Sequence, residues 1–158
     1  MRVLFVCLGN ICRSPTAEGV FRRLLDERGL ARQVHVDSCG IGGWHVGKGP
    51  DGRAREAAAR RGIDLSSLRA RQLSDGDFEA FDYLLAMDHD NLDALASRRP
   101  AGNSAHIGLF LEFAGMPDRA VPDPYFGGED GFEEVLDLVE AASHGLVEAI
   151  EARLEGGP

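Results

Sequence analysis

Lysine is almost absent from this sequence, and positive charge as a whole is in deficit. Lys48 is the only lysine among 158 residues, and 17 lysine and arginine residues stand against 26 acidic ones, for a formal net charge of −9. A protein with this charge repels polyanions, so neither nucleic acid nor an anionic membrane is expected as its main partner. The same field repels phosphate, so an anion site would need a local cluster of donors.

Long apolar runs and a cysteine framework are also missing. No apolar segment is long enough to span a bilayer, and the N-terminus lacks the pattern of a signal peptide. The three cysteines, Cys7, Cys12 and Cys39, are an odd number without metal-site spacing, so a reducing cytoplasm is the expected compartment. The chain is 44% hydrophobic, enough for a core, and its length suits one domain over residues 1–158.

The pattern of apolar residues predicts strands that alternate with helices. Strands are predicted over residues 2–6, 33–38, 83–87 and within 107–113, and helices over 15–28, 51–61, 90–97 and 131–154, with one helical turn in 74–79. This alternation is typical of an α/β fold with a parallel sheet covered by helices on both faces. Sites in such sheets lie at the carboxyl ends of the strands, which is where Cys7 falls.

The stretch that carries most information is V-C-L-G-N-I-C-R-S-P-T, residues 6–16. It follows the first predicted strand and ends in Ser14-Pro15, a typical helix start with Ser14 as N-cap and Pro15 as the first helical residue. A helix N-terminus and the amides of a tight loop can surround an anion, and Gly9 gives the loop conformational freedom. Cys7 opens this loop and Arg13 closes it.

These residues predict phosphoryl transfer. Arg13 can donate two hydrogen bonds to a phosphate, and the positive field of the loop favours the thiolate of Cys7, which is the nucleophilic form. A nucleophile inside a phosphate cradle indicates a cysteinyl-phosphate intermediate. No metal or other cofactor is expected, because Arg13 and the amides supply the positive charge. Asp88-His89-Asp90 is interpreted as helix capping, since consecutive residues before a helix do not easily converge on one ion.

A second motif is V-P-D-P-Y-F, residues 121–126. Proline on both sides of Asp123 stiffens the backbone around one carboxyl group. A phenolate leaves slowly unless its oxygen receives a proton, so Asp123 fits the role of a general acid that later activates water. The alternative for Asp123 is a turn in a surface loop.

The segment C-L-G-N-I-C-R-S-P-T-A-E, residues 7–18, resembles the active-site loop of the low-molecular-weight protein tyrosine phosphatases, and Asp-Pro-Tyr at 123–125 resembles their general-acid loop. The resemblance implies one flavodoxin-like three-layer domain that hydrolyses phosphotyrosine in proteins, or small aryl phosphates, and releases inorganic phosphate. It also implies catalytic roles for Cys7, Arg13 and Asp123. The phosphate-binding loop would comprise Leu8, Gly9, Asn10, Ile11, Cys12 and Ser14.

Further roles follow from the same resemblance. Ile11, Trp44 and Tyr125 would contact the substrate ring, although Trp44 could instead pack against the core and Tyr125 could anchor its loop. Asn10, Ser14 and Ser38 would support the loop, with the Ser14 hydroxyl hydrogen-bonded to the Cys7 thiolate. Several relatives use a histidine where this chain has Leu68, which cannot hydrogen-bond, so part of that support is in question. Cys12, five residues after Cys7 in the same loop, is the candidate redox partner.

Three other functions stay open. An arsenate reductase shares the cysteine–arginine cradle but needs relay cysteines; residues 75–104 contain none, which leaves Cys39. A protein arginine phosphatase is associated with threonine at the position of Ile11, whose apolar side chain suits an aromatic ring. A non-enzymatic anion-binding module is disfavoured by the joint presence of Cys7, Arg13 and Asp123.

Overall fold

The computed structural model describes residues 1–124 and 129–156, with no account of the Glu129 side chain. Its strands are β1 (Arg2–Cys7), β2 (His35–Gly40), β3 (Tyr83–Ala86) and β4 (His106–Leu109). Its α-helices are α1 (Arg13–Glu27), α2 (Gly52–Arg60), α3 (Asp77–Ala80), α4 (His89–Arg98) and α5 (Glu129–Gly156), and a 3-10 helix spans Phe110–Ala114.

The four strands form one parallel sheet in the order β2-β1-β3-β4. Val3 of β1 pairs with Val36 of β2 on one side and with Tyr83 of β3 on the other. Tyr83 in turn pairs with His106 of β4. The expected α/β fold with a central parallel sheet is confirmed, and the parallel order brings the carboxyl ends of all four strands to one edge.

Strand β1 contributes to two cores because its side chains alternate between the faces of the sheet. Val3 and Phe5 belong to the larger core, which includes residues of α1, α2 and α5. Leu4 and Val6 belong to the smaller core, which includes residues of α3 and α4. All four side chains are fully buried. A strand buried on both faces is held rigidly, so the position of Cys7 at its end is fixed as well.

The boundaries differ from the predicted ones by two residues at several ends, and β2 shows why. The strand was predicted to begin at Gln33, but the amides of Gln33 and Val34 both donate to the carbonyl of Leu30, in the turn that follows α1. Pairing with β1 starts only at His35, whose amide donates to the carbonyl of Met1. Tertiary hydrogen bonds therefore set this boundary, whereas the apolar pattern continues through it.

The start of α1 corrects the prediction that Ser14 is its N-cap. The helix begins at Arg13, with Cys12 at the cap position and no side-chain cap bond. Ser14 and Pro15 lie in the first turn, where proline is tolerated because the first amides of a helix have no partner within it. The Ser14 hydroxyl is engaged in the loop instead.

Among the described residues, no helix has the length and hydropathy needed to cross a membrane.

Candidate active site

Cys7 lies at the carboxyl end of β1, and its side chain is buried at the bottom of a cleft. The amide of Asn10 donates to its sulfur at 3.3 Å from Sγ, and the hydroxyl oxygen of Ser14 lies within hydrogen-bond distance of Sγ, at 2.9 Å. Asn10 has a φ of +57°, the left-handed region, which turns the loop back on itself. Gly40 passes beside this loop, where a Cβ atom would stand 2.9 Å from the carbonyl oxygen of Leu8.

The Asn10 side chain organises the buried polar groups behind the loop. Its Nδ2 donates to Oγ of Ser14 at 2.8 Å and to Oγ of Ser38 at 3.0 Å, and all three residues are buried. Because Asn10 donates to Ser14, the Ser14 hydroxyl keeps its own proton for another acceptor. The Cys7 sulfur at 2.9 Å is nearer than the other acceptor, the carbonyl of Cys39 at 3.4 Å. The structure thus brings together Asn10, Ser14 and Ser38, as the sequence predicted.

Glu18 extends this set and was not singled out from the sequence. Its carboxylate accepts a hydrogen bond from the Ser38 hydroxyl at 2.7 Å. It also forms an ion pair with Arg22, whose Nη2 lies 2.6 Å from Oε2 of Glu18. Burial raises the pKa of Glu18, while the Ser38 hydrogen bond and the Arg22 charge oppose that rise. A signal existed: Glu18 precedes the apolar Phe21 by three residues and so shares the buried face of α1.

Leu68 does not leave the loop without support. Its side chain packs against the larger core, and the acceptor of the loop asparagine, Asn10 Oδ1, receives the backbone amide of Arg71 at 3.0 Å. A main-chain donor therefore fixes the asparagine in this chain, so its support does not depend on the side chain at position 68.

Arg13 is buried, and three oxygens surround its guanidinium group. Nη1 lies 2.7 Å from Oδ2 of Asp88 and 3.1 Å from the carbonyl of Val121, and Nη2 lies 3.6 Å from Oδ2 of Asp123. The predicted capping by Asp88 is confirmed, since its other oxygen accepts the amide of Asn91 at 2.7 Å. Its second role, holding Arg13, was not predicted, because 75 residues separate the two.

Asp123 reaches the same cleft from the segment that follows the 3-10 helix. The amide of Val121 donates to the carbonyl of Met87 at 2.7 Å, which ties this segment to the end of β3. The Asp123 side chain is 40% exposed, so it lies where both a substrate and water can reach it. Tyr125, the predicted ring contact next to it, lies outside the described residues.

The cleft has a volume of about 260 Å³. It is lined by Cys7, Leu8, Gly9, Ile11, Cys12, Arg13, Trp44, His45 and Asp123. Trp44 is 68% exposed, so it stands at the mouth of the cleft and is not packed into the core. His45 joins it there and was missed, because an isolated histidine in a glycine-rich loop gives no sequence signal. The walls beside Cys7 are therefore largely apolar, and their polar side chains are those of Arg13, Asp123 and His45.

Cys12 lines the same cleft as Cys7, and its side chain is buried. Burial, together with the negative charges of Asp51, Cys7 and Asp123, raises the pKa of Cys12 from 9.0 to about 12. Burial also raises the pKa of Cys39, which lies in β2 outside the cleft lining. All three cysteines are free thiols in the structure. A disulfide between Cys7 and Cys12 stays a prediction.

Comparisons with known proteins agree with this geometry. A model of the low molecular weight phosphotyrosine protein phosphatase family matches residues 2–155. A family member from Schizosaccharomyces pombe is 51% identical over 149 residues, which cover 92% of this chain and 95% of that protein. A crystal structure of a protein tyrosine phosphatase from Entamoeba histolytica, with Hepes in the active site, is 39% identical and covers 96% of this chain and 97% of its own, with a TM-score of 0.90.

A third relative has a different named activity. The arginine phosphatase YwlE, solved as a cysteine-to-serine mutant with a phosphorylated active-site serine, is 28% identical, with a TM-score of 0.86 and 96% of each chain covered. The family model matches nearly the whole chain, and the Schizosaccharomyces pombe relative carries the name of that family. This chain therefore belongs to the low molecular weight phosphotyrosine protein phosphatases, and it is a protein tyrosine phosphatase.

Proposed function

We propose that this phosphatase hydrolyses phosphotyrosine in proteins through a cysteinyl-phosphate intermediate on Cys7. The observation that carries the proposal is the convergence on one cleft of a sulfur with two donors, a buried arginine and a carboxyl group. Asn10 and Ser14 supply the donors to Cys7 Sγ. Arg13 follows the same loop at the start of α1, and Asp123 lies 3.6 Å from its guanidinium group.

In the first half-reaction the Cys7 thiolate attacks phosphorus, and the bond between phosphorus and the tyrosine oxygen breaks. Protonated Asp123 transfers its proton to that oxygen, so the leaving group departs as a neutral phenol. Arg13 donates to two of the phosphoryl oxygens in a planar fork, and the amides of residues 8–13 stabilise the charge that develops on them.

In the second half-reaction the Asp123 carboxylate accepts a proton from a water molecule, whose oxygen attacks the phosphorus. The sulfur–phosphorus bond breaks, inorganic phosphate is released, and Cys7 returns to the thiolate. The hydroxyl of Ser14 stabilises the sulfur as a leaving group, because it donates to the thiolate and not to the phosphothiol ester. One acid–base group suffices for both steps, because the first step leaves Asp123 as the carboxylate that the second step needs, and the second step returns its proton.

The cleft walls support an aromatic substrate. Leu8, Ile11 and Trp44 line the entrance with apolar surface, and an aryl ring buries its faces there while its phosphate reaches Cys7. Small aryl phosphates fill the same space, so they are substrates as well. Phosphorylated proteins are the proposed physiological partners, and phosphate is the product.

Phosphoarginine hydrolysis is the second candidate, and the similarity to YwlE is what supports it. Ile11 argues against it, because a guanidinium leaving group brings polar N–H groups to a wall that offers no acceptor. Arsenate reduction has less support, since Cys39, the remaining relay candidate, is fully buried in β2. The three free thiols favour a reducing cytoplasm as the location. The family match over residues 2–155 supports one catalytic domain over residues 1–158.

The deciding experiment is a steady-state assay of the wild-type protein on matched phosphotyrosine, phosphoserine and phosphoarginine peptides, with arsenate reduction measured beside it. We expect the phosphotyrosine peptide to be preferred, and Cys7→Ser to abolish turnover because its hydroxyl keeps its proton at neutral pH. Cys39→Ala is the matched control, since it removes a buried thiol that does not line the cleft. Substantial turnover by Cys7→Ser would exclude the cysteinyl-phosphate, and preference for phosphoarginine would exclude the substrate class.

A further inference from the structure

We propose that Arg71 is a positioning residue for the nucleophile: its ion pairs with Asp37 and Asp77 hold the amide that fixes Asn10, and thereby the donors on Cys7. Because it acts on Cys7, this role rests on the proposed function. Arg71 does not line the cleft and touches neither Cys7 nor Arg13.

The Arg71 side chain binds two carboxylates on different elements. Its Nε lies 3.0 Å from Oδ2 of Asp37 in β2. Its Nη1 and Nη2 lie 3.0 Å from the two carboxylate oxygens of Asp77 in α3, a bidentate pair. The Asp77 side chain is only 8% exposed, and it also accepts the amide of Ser74 at 2.8 Å. This arrangement fixes the position of residue 71 relative to both β2 and α3.

The backbone of residues 71–73 is hydrogen-bonded to Gly40 at the end of β2. The Arg71 carbonyl accepts the amide of Gly40 at 2.8 Å, and the amide of Leu73 donates to the carbonyl of Gly40 at 2.8 Å. Gln72 thus forms a single parallel bridge with Gly40, outside the four strands. Because one bridge is a weak tether, the Arg71 ion pairs to Asp37 and Asp77 give this segment a second attachment, to both β2 and α3.

The amide of Arg71 is the link to the active site. It donates to Oδ1 of Asn10 at 3.0 Å, and this bond orients the asparagine so that its Nδ2 faces Ser14 and Ser38. A displaced amide leaves Oδ1 of a buried asparagine without its donor, which favours rotation of the side chain and loss of its bond to Ser14. The Ser14 hydroxyl is then free to turn away from the Cys7 sulfur.

Substitutions at Arg71 replace none of the other titratable side chains around Cys7, but they remove a charge that opposes the rise in the pKa of Cys39. Arg13, His45 and Asp123 line its cleft, Cys12 lies in its loop, Cys39 lies on the neighbouring strand, and Glu18 reaches the loop through Ser38. Loss of the Arg71 charge does leave Asp37 and Asp77 without their cation. The double variant Arg71→Gln/Asp77→Asn lessens that imbalance, so it separates an effect of charge from an effect of position.

The chain contains a closely matched control, Arg61. This arginine binds Glu133, Asp137 and Glu140 of α5, and its side chain is 25% exposed, against 33% for Arg71. Like Arg71, it is a partly buried arginine that joins separate elements through several carboxylates. It lies at the far end of α2 and has no contact with the phosphate-binding loop.

The experiment compares Arg71→Gln, Arg71→Lys, Arg71→Gln/Asp77→Asn and Arg61→Gln with the wild type. It measures the unfolding temperature, kcat and KM on an aryl phosphate, and the rate of Cys7 alkylation by iodoacetate as a function of pH. We expect Arg71→Gln and the double variant to lose about 10- to 100-fold in kcat, the scale of a small displacement of reacting groups, with a smaller change in KM. Their alkylation curves should move to higher pH. Arg71→Lys should fall between them and the wild type, and Arg61→Gln should lower only the unfolding temperature.

The proposal is wrong if Arg71→Gln, at equal folded fraction, keeps the kcat and the alkylation curve of Arg61→Gln. If Arg71→Gln does not fold, Arg71→Lys decides: a wild-type alkylation curve with wild-type kcat overturns the role. Failure of the proposed function has a different signature. In that case the wild type itself shows no Cys7-dependent turnover, or Cys7→Ser retains activity.

Discussion

Nη1 of Arg13 lies 2.7 Å from Oδ2 of Asp88, and this ion pair fixes the orientation of the arginine that we propose binds phosphate. The same nitrogen also donates to the carbonyl of Val121 at 3.1 Å, which uses both of its hydrogens. Of the five N–H donors of a guanidinium group, those on Nη2 and Nε remain for other acceptors. Arg13 is thus held from one side so that its other side can face a phosphate.

Asp88→Asn should lower kcat/KM for phosphate esters without unfolding α4. Asparagine caps a helix as well as aspartate does, so the bond to the Asn91 amide is retained, but the charge that holds Arg13 is lost. A hydrogen bond to a charged group contributes about 1.5–3 kcal/mol, so we expect kcat/KM to fall roughly ten- to a hundredfold. Asp88→Ala, which removes the cap as well, should also lower the unfolding temperature. Wild-type kcat/KM in Asp88→Asn would show that Arg13 needs no such partner.

Asp123→Asn should reduce activity in a way that depends on the leaving group. A phenol of low pKa leaves without assistance, so a nitrophenyl phosphate should lose little. Phosphotyrosine has a poorer leaving group and should lose more, within the roughly 10²–10⁴-fold range of general acid catalysis. Steady-state rates on both substrates test this, and equal losses would assign Asp123 a structural role.

Ile11→Thr should shift the substrate ratio toward phosphoarginine. The Ile11 side chain lines the cleft and cannot accept hydrogen bonds from a guanidinium group, whereas a threonine hydroxyl can. An unpaired donor costs about 1–3 kcal/mol, so the ratio of kcat/KM for phosphoarginine and phosphotyrosine peptides should rise roughly ten- to a hundredfold. An unchanged ratio would show that position 11 does not select the leaving group.

Alkaline pH should destabilise the fold through Cys12. Its pKa is raised to about 12 in the folded protein, from an ordinary value of 9.0, so the unfolded chain releases this proton first as pH rises. The thiol's contribution to the free energy of unfolding is therefore complete below about pH 9 and is lost between pH 9 and 12. Denaturant titrations from pH 8 to 11 should show a fall in stability that is shallower in Cys12→Ser. Identical slopes in both proteins would contradict the raised pKa.

Peroxide should inactivate the enzyme reversibly through Cys7 and Cys12. Peroxide oxidises the Cys7 thiolate to a sulfenic acid, and the Cys12 thiol condenses with it to form a disulfide and release water. Bound phosphate should protect, because it fills the cradle. After treatment with a thiol reductant, wild type should recover and Cys12→Ser should not, with mass analysis identifying the cross-link.

Equal recovery of the two proteins would remove Cys12 from this chemistry. A disulfide between Cys7 and Cys39 would instead revive the arsenate reductase interpretation, since it would show that a relay cysteine can reach the cradle. The burial of Cys39 in the central sheet makes that product unexpected.

The sequence by itself determined the features that depend on neighbouring residues. Cys7 and Arg13 stand six positions apart in one loop, and Asp123 stands between two prolines, so the prediction of phosphoryl transfer needs no coordinates. The alternation of strand and helix patterns likewise predicted the parallel sheet, because strands buried on both faces appear as continuous apolar runs between segments of helical periodicity.

Only the tertiary structure decided which distant groups serve that loop. The partner of Arg13 lies 75 residues away, and the amide that fixes Asn10 lies 61 residues away. It also decided that Ser14 bonds to the Cys7 sulfur and does not cap α1. The physical reason is that sequence periodicity reports whether a side chain is buried, while the choice of hydrogen-bond partner depends on which strand ends and loops the parallel sheet brings to one edge.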